Sequence, residues 1–189
     1  MNTEPSGKQA APFAHPRRNV AALGIQPGMK IADFGAGSGA YVHAIANELS
    51  GSGTVYAVDV QKDLLRRIKN DALKRGLHNV EVVWADIEKP GASKIKEHML
   101  DLVLISNLLF QLQNHKVPFV EAHRILKKEG RLAVIDWNDS YGGIGPIKSH
   151  VVPKGEVILL ANNAGFELAR EFSAGTHHYG LIFRVARNT

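Results

Sequence analysis

The fold of this chain is decided by one stretch, Lys30-Ile-Ala-Asp-Phe-Gly-Ala-Gly-Ser-Gly-Ala-Tyr41. Its apolar beginning, Ile31 to Phe34, is typical of a buried strand, and three glycines follow at alternate positions. Apolar residues from Val42 to Leu49 then recur at helical spacing. A strand, a glycine turn and a helix bring a ligand onto exposed backbone N–H groups at a helix N-terminus. Glycine suits such a turn because a Cβ would block close approach and disfavour positive φ.

Two carboxylates, one within this stretch and one after it, narrow the class of ligand that the glycine turn can bind. Asp33 stands two residues before Gly35, and Asp59 ends the next predicted strand about 20 residues after the glycines, as a ribose-binding acid should. The spacing Gly35-x-Gly37-x-x-Ala40 also fits the relaxed dinucleotide fingerprint. No Gly-Lys-Ser/Thr follows the glycines, which disfavours a P-loop. Asp33 would repel a pyrophosphate, whereas it would attract a ligand that carries an ammonium or sulfonium group.

Length and composition bound the class of protein. The 189 residues suit one domain with one sizeable core, and no apolar run is long enough for a transmembrane helix. We expect residues 1–16 to be a disordered tail, because this polar stretch lacks the apolar core of a signal peptide. Residues 17–189 are expected to form the single domain. The absence of cysteine excludes a cysteine nucleophile and thiolate ligands, and it fits a cytoplasmic location.

The net charge of +5 leaves nucleic acid open as a partner. Basic pairs occur at Arg66-Arg67, Lys74-Arg75 and Lys127-Lys128. All three fall on predicted helix surfaces, where solvated charge is the usual explanation. An RNA or DNA substrate is therefore the less favoured alternative to a small molecule.

Strands and helices alternate along the rest of the chain. Further strands are predicted at 54–58, 80–84, 101–105 and 131–135, with helices or lids at 13–23, 64–73, 117–126 and 153–164 and a short helix at most at 93–98. The loop from Asp139 to Val152 shows no periodic pattern and is long enough to be functional. Phe166 to Phe172 and Gly180 to Ala186 are joined by about seven residues, which predicts an antiparallel hairpin. The alternation as a whole predicts a parallel α/β sheet.

Four motifs, in this order, resemble those of the class I S-adenosylmethionine (SAM) methyltransferases. Ile31 to Gly39 looks like their motif I, and Val55 to Asp59 looks like the strand that carries the ribose-binding acid. Trp84-Ala85-Asp86-Ile87 looks like the adenine-binding turn. Glu121 to Gly130 looks like the "E-x-x-R-x-L-K-x-G-G" helix of the ubiquinone/menaquinone-biosynthesis-like group, with Glu129 in place of the first glycine.

The resemblance spans residues 23–185 and implies a fold, an activity and a cofactor. The fold is α/β, a Rossmann-like class I methyltransferase fold with a seven-stranded mixed sheet of order 3-2-1-4-5-7-6, the last strand antiparallel and helices on both faces. The activity is SAM-dependent methyl transfer to a small or medium-sized molecule, with S-adenosyl-L-homocysteine as product. The motifs imply these cofactor-binding residues: Asp33, Phe34, Gly35, Ala36, Gly37, Ser38, Gly39, Tyr41, Asp59, Val60, Ala85, Asp86, Ile87, Ser106 and Asn107.

Departures from related methyltransferases restrict the acceptor and the metal. The fourth strand is followed by Ser106-Asn107-Leu108-Leu109 rather than Asn/Asp-Pro-Pro-Tyr, which disfavours methylation of adenine or glutamine amino groups. The absence of cysteine disfavours arsenite and cysteine-dependent C5-pyrimidine methylation. A catechol-type metal site would need an acid at Ser106 or Asn107, so no metal is expected. His177-His178 falls in the predicted hairpin turn and is expected to be solvated.

Catalytic residues are only candidates at this point. Methyl transfer from a sulfonium is an in-line displacement for which the protein supplies position and a dry site. A base is needed only where the nucleophile keeps its proton at neutral pH, and Asn107, His115 and Asp136 are the candidates. Two other classes stay open: a SAM-binding partner subunit without turnover and a nicotinamide-dependent enzyme.

Overall fold

The computed structural model describes residues 14–187. The strands of the described residues are β1 (Lys30–Phe34), β2 (Thr54–Asp59), β3 (Val80–Trp84), β4 (Leu100–Ser106), β5 (Leu126–Trp137), β6 (Phe166–Gly175) and β7 (His178–Val185). The α-helices are α1 (Pro16–Ala22), α2 (Ala40–Glu48), α3 (Lys62–Lys74), α4 (Lys116–Ile125) and α5 (Lys154–Asn163), with 3-10 turns at Leu109–Gln111 and Lys148–His150. Within these residues no helix is long and apolar enough to cross a membrane.

The seven strands form one sheet of order β3-β2-β1-β4-β5-β7-β6. β1 to β5 pair in parallel, whereas β7 runs antiparallel to both β5 and β6. This order and the antiparallel last strand confirm the fold that the family resemblance implies. Because parallel strands end at one edge, the segments that follow β1, β2, β4 and β5 meet there.

An apolar layer covers each face of the sheet. Val20 of α1, Ile45 of α2 and Leu65 of α3 belong to one layer. Phe119 of α4 and Val157 of α5 belong to the other. The nearly continuous apolar run of β4 is buried between the two layers, as expected for a central parallel strand.

The start of the described chain bears on the predicted tail. All but the last three residues of the predicted tail, 1–16, lie outside the described part of the chain. α1 begins at Pro16, whose fixed φ suits the first turn of a helix. The helix therefore starts within the predicted lid segment, 13–23, of which Phe13 lies outside the described residues.

Two predicted boundaries are wrong. Residues 93–98, predicted to be a short helix at most, form no helix, because Lys94 and His98 both adopt a φ of +52°. β5 begins directly after α4 at Leu126, which pairs with Leu100 across an irregularity in the ladder. The hairpin is tighter than predicted, since the pairing of β6 with β7 continues to Gly175 opposite His178 and leaves only Thr176 and His177 between the strands.

Candidate functional site

The turn between β1 and α2 brings the backbone close to its surroundings. Gly35, Gly37 and Gly39 have φ values of +74°, +52° and +79°. A Cβ on Gly35 would lie 2.7 Å from Leu108, and one on Gly39 would lie 2.7 Å from Ile68. A Cβ on Gly37 would stand in freer space, 3.8 Å from the Gly35 carbonyl oxygen. Packing therefore requires glycine at 35 and 39, whereas Gly37 leaves room for a ligand.

A cleft of about 230 Å³ opens beside this turn. Seven of the predicted cofactor-binding residues line it: Gly35, Gly37, Asp59, Val60, Ala85, Asp86 and Ile87. Leu108, Gln111 and Leu112 line the side that faces the end of β4. Three motifs that are far apart in the sequence thus meet in one cleft.

Asp33 is buried beneath the turn at the end of β1. The residue is only 1% exposed, and Oδ1 of its side chain has no hydrogen-bond partner among the described residues. Burial, and to a lesser degree the nearby Asp59 carboxylate, raises the pKa of Asp33 to about 8. A buried polar atom without a partner is destabilising, and an adjacent cation would remove that cost by favouring the carboxylate.

Asp59 is held in place by the backbone. Its Oδ2 accepts a hydrogen bond from the Gly37 N–H at 2.9 Å, and its Oδ1 accepts one from the Gln61 N–H at 2.9 Å. These two bonds orient the carboxylate at the wall of the cleft. Each oxygen keeps a second lone pair, so both can still accept from the hydroxyl groups of a ligand.

The acid of the predicted adenine turn, Asp86, also lines the cleft. Asp86 accepts a hydrogen bond from the Glu88 N–H at 3.1 Å and lies 3.3 Å from the Lys89 ammonium. Its side chain remains 37% exposed, so a ligand can reach it. Ala85 and Ile87 beside it are buried and supply an apolar wall.

The other eight predicted cofactor residues are not among those that line the cleft: Asp33, Phe34, Ala36, Ser38, Gly39, Tyr41, Ser106 and Asn107. Of these, Tyr41 has a clear structural contact. Its hydroxyl accepts a hydrogen bond from Asn19 Nδ2 at 2.9 Å, and Asn19 also donates to the Ala174 carbonyl oxygen at 3.1 Å. Asn19 of α1 therefore links α1 to both α2 and β6.

Asn107, directly after β4, is held at three points. Its φ is +50°, a region that asparagine tolerates better than most residues. The Asn107 N–H donates to the Ile135 carbonyl oxygen at 2.9 Å, and its own carbonyl oxygen accepts from Gln111 Nε2 at 2.8 Å. Its side-chain Oδ1 lies 3.0 Å from Nε2 of His178.

His178 is buried, so the prediction that it is solvated is wrong. The residue is 3% exposed, and its ring centroid lies 4.2 Å from that of Trp137. Burial, and then the neighbouring His177, lowers the pKa of His178 to about 4, so the imidazole is neutral at neutral pH. The strand is buried on both faces from His178 to Phe183, so the nearly continuous apolar run that follows His178 is the signal that could have revealed its burial.

The catalytic candidates occupy different environments. Asp136 is 2% exposed, and its two oxygens accept hydrogen bonds from the Leu109 and Trp137 N–H groups at 3.0 and 2.9 Å. Burial raises the pKa of Asp136 to about 6. His115, directly before α4, is partly exposed, and its Nδ1 lies 3.5 Å from a carboxylate oxygen of Glu156 on α5.

A second cleft, of about 450 Å³, adjoins the first. The two share Gln111 and Leu112, which belong to both linings. His115 and Glu156 line the second cleft together with residues 149–152 of the loop that follows β5. Sequence reasoning missed this cleft because its walls come from separate segments of the chain.

The basic pairs that left nucleic acid open are partly neutralised. Arg66 lies 3.0 Å from Asp63, Lys74 lies 3.8 Å from Asp71, and Lys127 lies 2.6 Å from Asp101. Each predicted pair thus has one cation beside a carboxylate, which weakens its local positive field. In residues 14–187 no group of three or more His, Asp or Glu side chains could hold a metal ion.

Comparison with known protein families shows which family has this arrangement of residues. A family model described as "Methyltransferase domain" matches residues 25–157, which include the glycine turn, the acids Asp33, Asp59 and Asp86, and the start of α5. The chain belongs to this family. Its structure resembles the crystal structure of a SAM-dependent methyltransferase from Aquifex aeolicus, with a TM-score of 0.83, 26% identity and coverage of 92% of this chain and 91% of that one.

Two curated relatives match the methyltransferase region. The ubiquinone/menaquinone biosynthesis C-methyltransferase UbiE of Cupriavidus taiwanensis is 25% identical over 119 residues, which are 63% of this chain and 47% of UbiE. The aklanonic acid methyltransferase DauC of Streptomyces sp. (strain C5) is 27% identical over 106 residues, which are 56% of this chain and 47% of DauC. The chain spans about half the length of these curated relatives.

The comparisons confirm the family resemblance and SAM as the cofactor. The site also fits that cofactor on physical grounds. Asp33 offers an unpartnered oxygen to a cation, Asp59 offers lone pairs to two hydroxyl groups, and the space beside Gly37 admits a ligand.

Proposed function

We propose that this chain is a class I SAM-dependent methyltransferase that methylates a small or medium-sized molecule. The observation that carries the proposal is the meeting of the glycine turn, Asp59 and Asp86 in one cleft, with Asp33 buried at the end of β1 and its Oδ1 without a partner among residues 14–187. The printed names of two relatives support the acceptor class, since one acts in ubiquinone/menaquinone biosynthesis and the other on aklanonic acid.

Each wall of the cleft has a part in holding the cofactor. SAM, when bound, supplies a methyl group on a sulfonium for in-line displacement. The Asp33 carboxylate attracts the positively charged end of the cofactor, and Asp59 accepts hydrogen bonds from the ribose hydroxyls. Asp86 accepts from the exocyclic amine of the adenine, and Ile87 packs on the ring. Positioning of this kind is the main contribution of the protein to such a displacement.

The acceptor binds in the second cleft. Gln111 and Leu112, which line both clefts, bring an acceptor there next to the cofactor. The loop from Asp139 to Val152 forms a lid over this region. Its Tyr141, Ile144 and Ile147 are 46%, 52% and 62% exposed, and closure over an acceptor would bury them and exclude water.

His115 is the better candidate base for an acceptor that keeps its proton. It lines the second cleft, and Glu156 lies beside its Nδ1, which leaves Nε2 free to take a proton. Asp136 is a poorer candidate, because its oxygens are buried and already accept two backbone N–H groups. Asp136 instead fixes the 3-10 turn that carries Gln111.

Titration of the purified chain tests the cofactor. We expect S-adenosylhomocysteine to bind in a calorimetric titration and NAD not to bind. Binding of NAD alone would identify a nicotinamide-dependent enzyme and overturn the proposal. Incubation with SAM that carries a labelled methyl group and a pool of small metabolites should then label a low-molecular-weight product. Tight cofactor binding without transfer to any acceptor would favour the partner-subunit alternative.

Salt dependence separates a small acceptor from RNA. Phosphate contacts release counterions, so RNA binding would weaken steeply as salt rises. Arg17 and Arg18 of α1 are exposed and would be the first contacts to test. Tight, salt-sensitive RNA binding that is lost in a variant with both arginines changed to Ala would overturn the small-molecule proposal. That residues 17–189 act as one domain, and that they act in the cytoplasm, stay predictions.

A further inference from the structure

The end of β4 carries a side chain that is held from the hairpin of β6 and β7. Asn107 belongs to the predicted cofactor residues, and its backbone oxygen accepts a hydrogen bond from Gln111, a residue that lines both clefts. Its amide oxygen lies 3.0 Å from Nε2 of His178, which is 71 residues away in the sequence. The hairpin is therefore linked to Gln111, at the junction of the two clefts, through two hydrogen bonds, one between His178 and Asn107 and one between Gln111 and Asn107.

Besides the bond to Asn107, the imidazole of His178 makes a ring contact and has one unpaired nitrogen. Nδ1 is buried without a hydrogen-bond partner among the described residues, and the ring packs on Trp137. A phenylalanine could make the same ring contact without burying an unpaired nitrogen, which is destabilising. What the histidine adds is the bond to Asn107. Since the partner atom is an amide oxygen, Nε2 carries the hydrogen and donates it.

We infer that His178 is a positioning residue that fixes the orientation of the Asn107 amide, next to Leu108 in the lining of the cofactor cleft. The bond to His178 turns Oδ1 toward the hairpin, and because the amide is planar its NH2 group points away from the imidazole. The two bonds of the Asn107 backbone fix the base of the side chain, so His178 sets its remaining freedom. The inference rests on the proposed function, because it assigns Asn107 to the cofactor.

Titration with S-adenosylhomocysteine tests the inference without a known acceptor. His178→Phe keeps the ring contact with Trp137 but removes the donor, and His178→Gln restores an N–H donor. We expect His178→Phe to weaken binding roughly five- to thirtyfold, the range for loss of one positioned hydrogen bond. His178→Gln should bind within about threefold of the parent chain. His98→Gln, a substitution at an exposed residue beside the start of β4, is the matched control and should leave affinity unchanged.

A double-mutant cycle separates positioning from general packing. Once Asn107 is alanine, His178→Phe should have no further effect on affinity, because the group that it orients is gone. Long-range proton–nitrogen spectra of the parent chain should also show His178 as the neutral tautomer with its hydrogen on Nε2. This spectrum gives a readout even where His178→Phe fails to fold.

Several results would overturn the inference. These are unchanged affinity in folded His178→Phe, additive effects in the cycle, a folded His178→Gln that binds as weakly as His178→Phe, or a His178 hydrogen on Nδ1. If the parent chain bound no S-adenosylhomocysteine, the proposed function itself would fail. The tautomer would then still report whether the His178–Asn107 bond exists.

Discussion

Binding of SAM should release a proton from Asp33. The pKa of Asp33 in the cofactor-free chain is about 8, against an ordinary value of 3.8, because the carboxyl is buried and Asp59 lies near it. At pH 7 such a group is protonated in about nine molecules of ten. A cation brought next to Oδ1 favours the carboxylate, so close to one proton should leave for each cofactor bound.

The raised pKa of Asp33 also means that the folded chain becomes less stable as the pH rises. The folded pKa of Asp33 lies above the unfolded value, so its contribution to stability is fully present below pH 3.8 and is lost as the pH rises to about 8. Each pKa unit corresponds to about 1.4 kcal/mol, so the loss by pH 7 is about 4 kcal/mol. Asp33→Asn is neutral and similar in shape. It should raise the free energy of unfolding of the cofactor-free chain by about 2–4 kcal/mol at pH 7 while it weakens SAM binding.

Calorimetry in two buffers of different ionisation enthalpy measures the protons released. We expect about 0.9 proton for each SAM bound at pH 7, a value that falls toward zero near pH 10. Asp33→Asn should release none, whereas Asp63→Asn, which changes an exposed acid paired with Arg66, should behave as the parent chain. Proton release at pH 7 that persists in a folded Asp33→Asn variant would refute the reasoning, as would its absence in the parent chain.

Three further changes test the cofactor cleft and the lid. Asp59→Ala removes two charge-assisted acceptors and should cost about 2–4 kcal/mol of S-adenosylhomocysteine affinity, or roughly 30- to 1,000-fold; an unchanged dissociation constant in a folded variant would contradict the role. Gly37→Val should abolish binding while circular dichroism stays native, with Gly51→Ala, which fills open space at a comparable φ, as control. Deletion of residues 139–150 should reduce transfer in the labelling assay, and the lid proposal fails if both transfer and cofactor affinity are unaffected.

The cofactor half of the site could be predicted from the sequence because each of its parts is local. A glycine after an apolar run, or an acid at the end of one, is visible without knowing which strands pair. The parallel topology then carries Gly37, Asp59 and Asp86 to the same edge of the sheet. The family resemblance that these local motifs carry therefore sufficed to name seven residues that line one cleft.

The part of the site that we assign to the acceptor depends on the register of the strands and on segments that are far apart in the sequence. His178 was assigned to a solvated turn because the hairpin was drawn too wide, and only the pairing of His178 with Trp137 puts its ring in the interior. His115 and Glu156 lie 3.5 Å apart although α4, β5 and a long loop separate them in the chain. No local pattern indicates such a pair, since its geometry follows from the packing of α4 beside α5.

The shifted pKa values of Asp33 and His178 together determine how stabilisation by the cofactor should depend on pH. The pKa of His178 is lowered to about 4, so its contribution is present above the unfolded value of 6.5 and is lost as the pH falls. Between pH 4 and 6.5 the contributions of these two residues run in opposite directions and nearly cancel each other. Above pH 6.5 the Asp33 loss continues without that compensation, and bound SAM removes it. The rise in Tm that saturating SAM produces should therefore grow from pH 6.5 to pH 8 and stay level in Asp33→Asn, and a rise that is constant over this range in the parent chain would show that Asp33 does not face the cation.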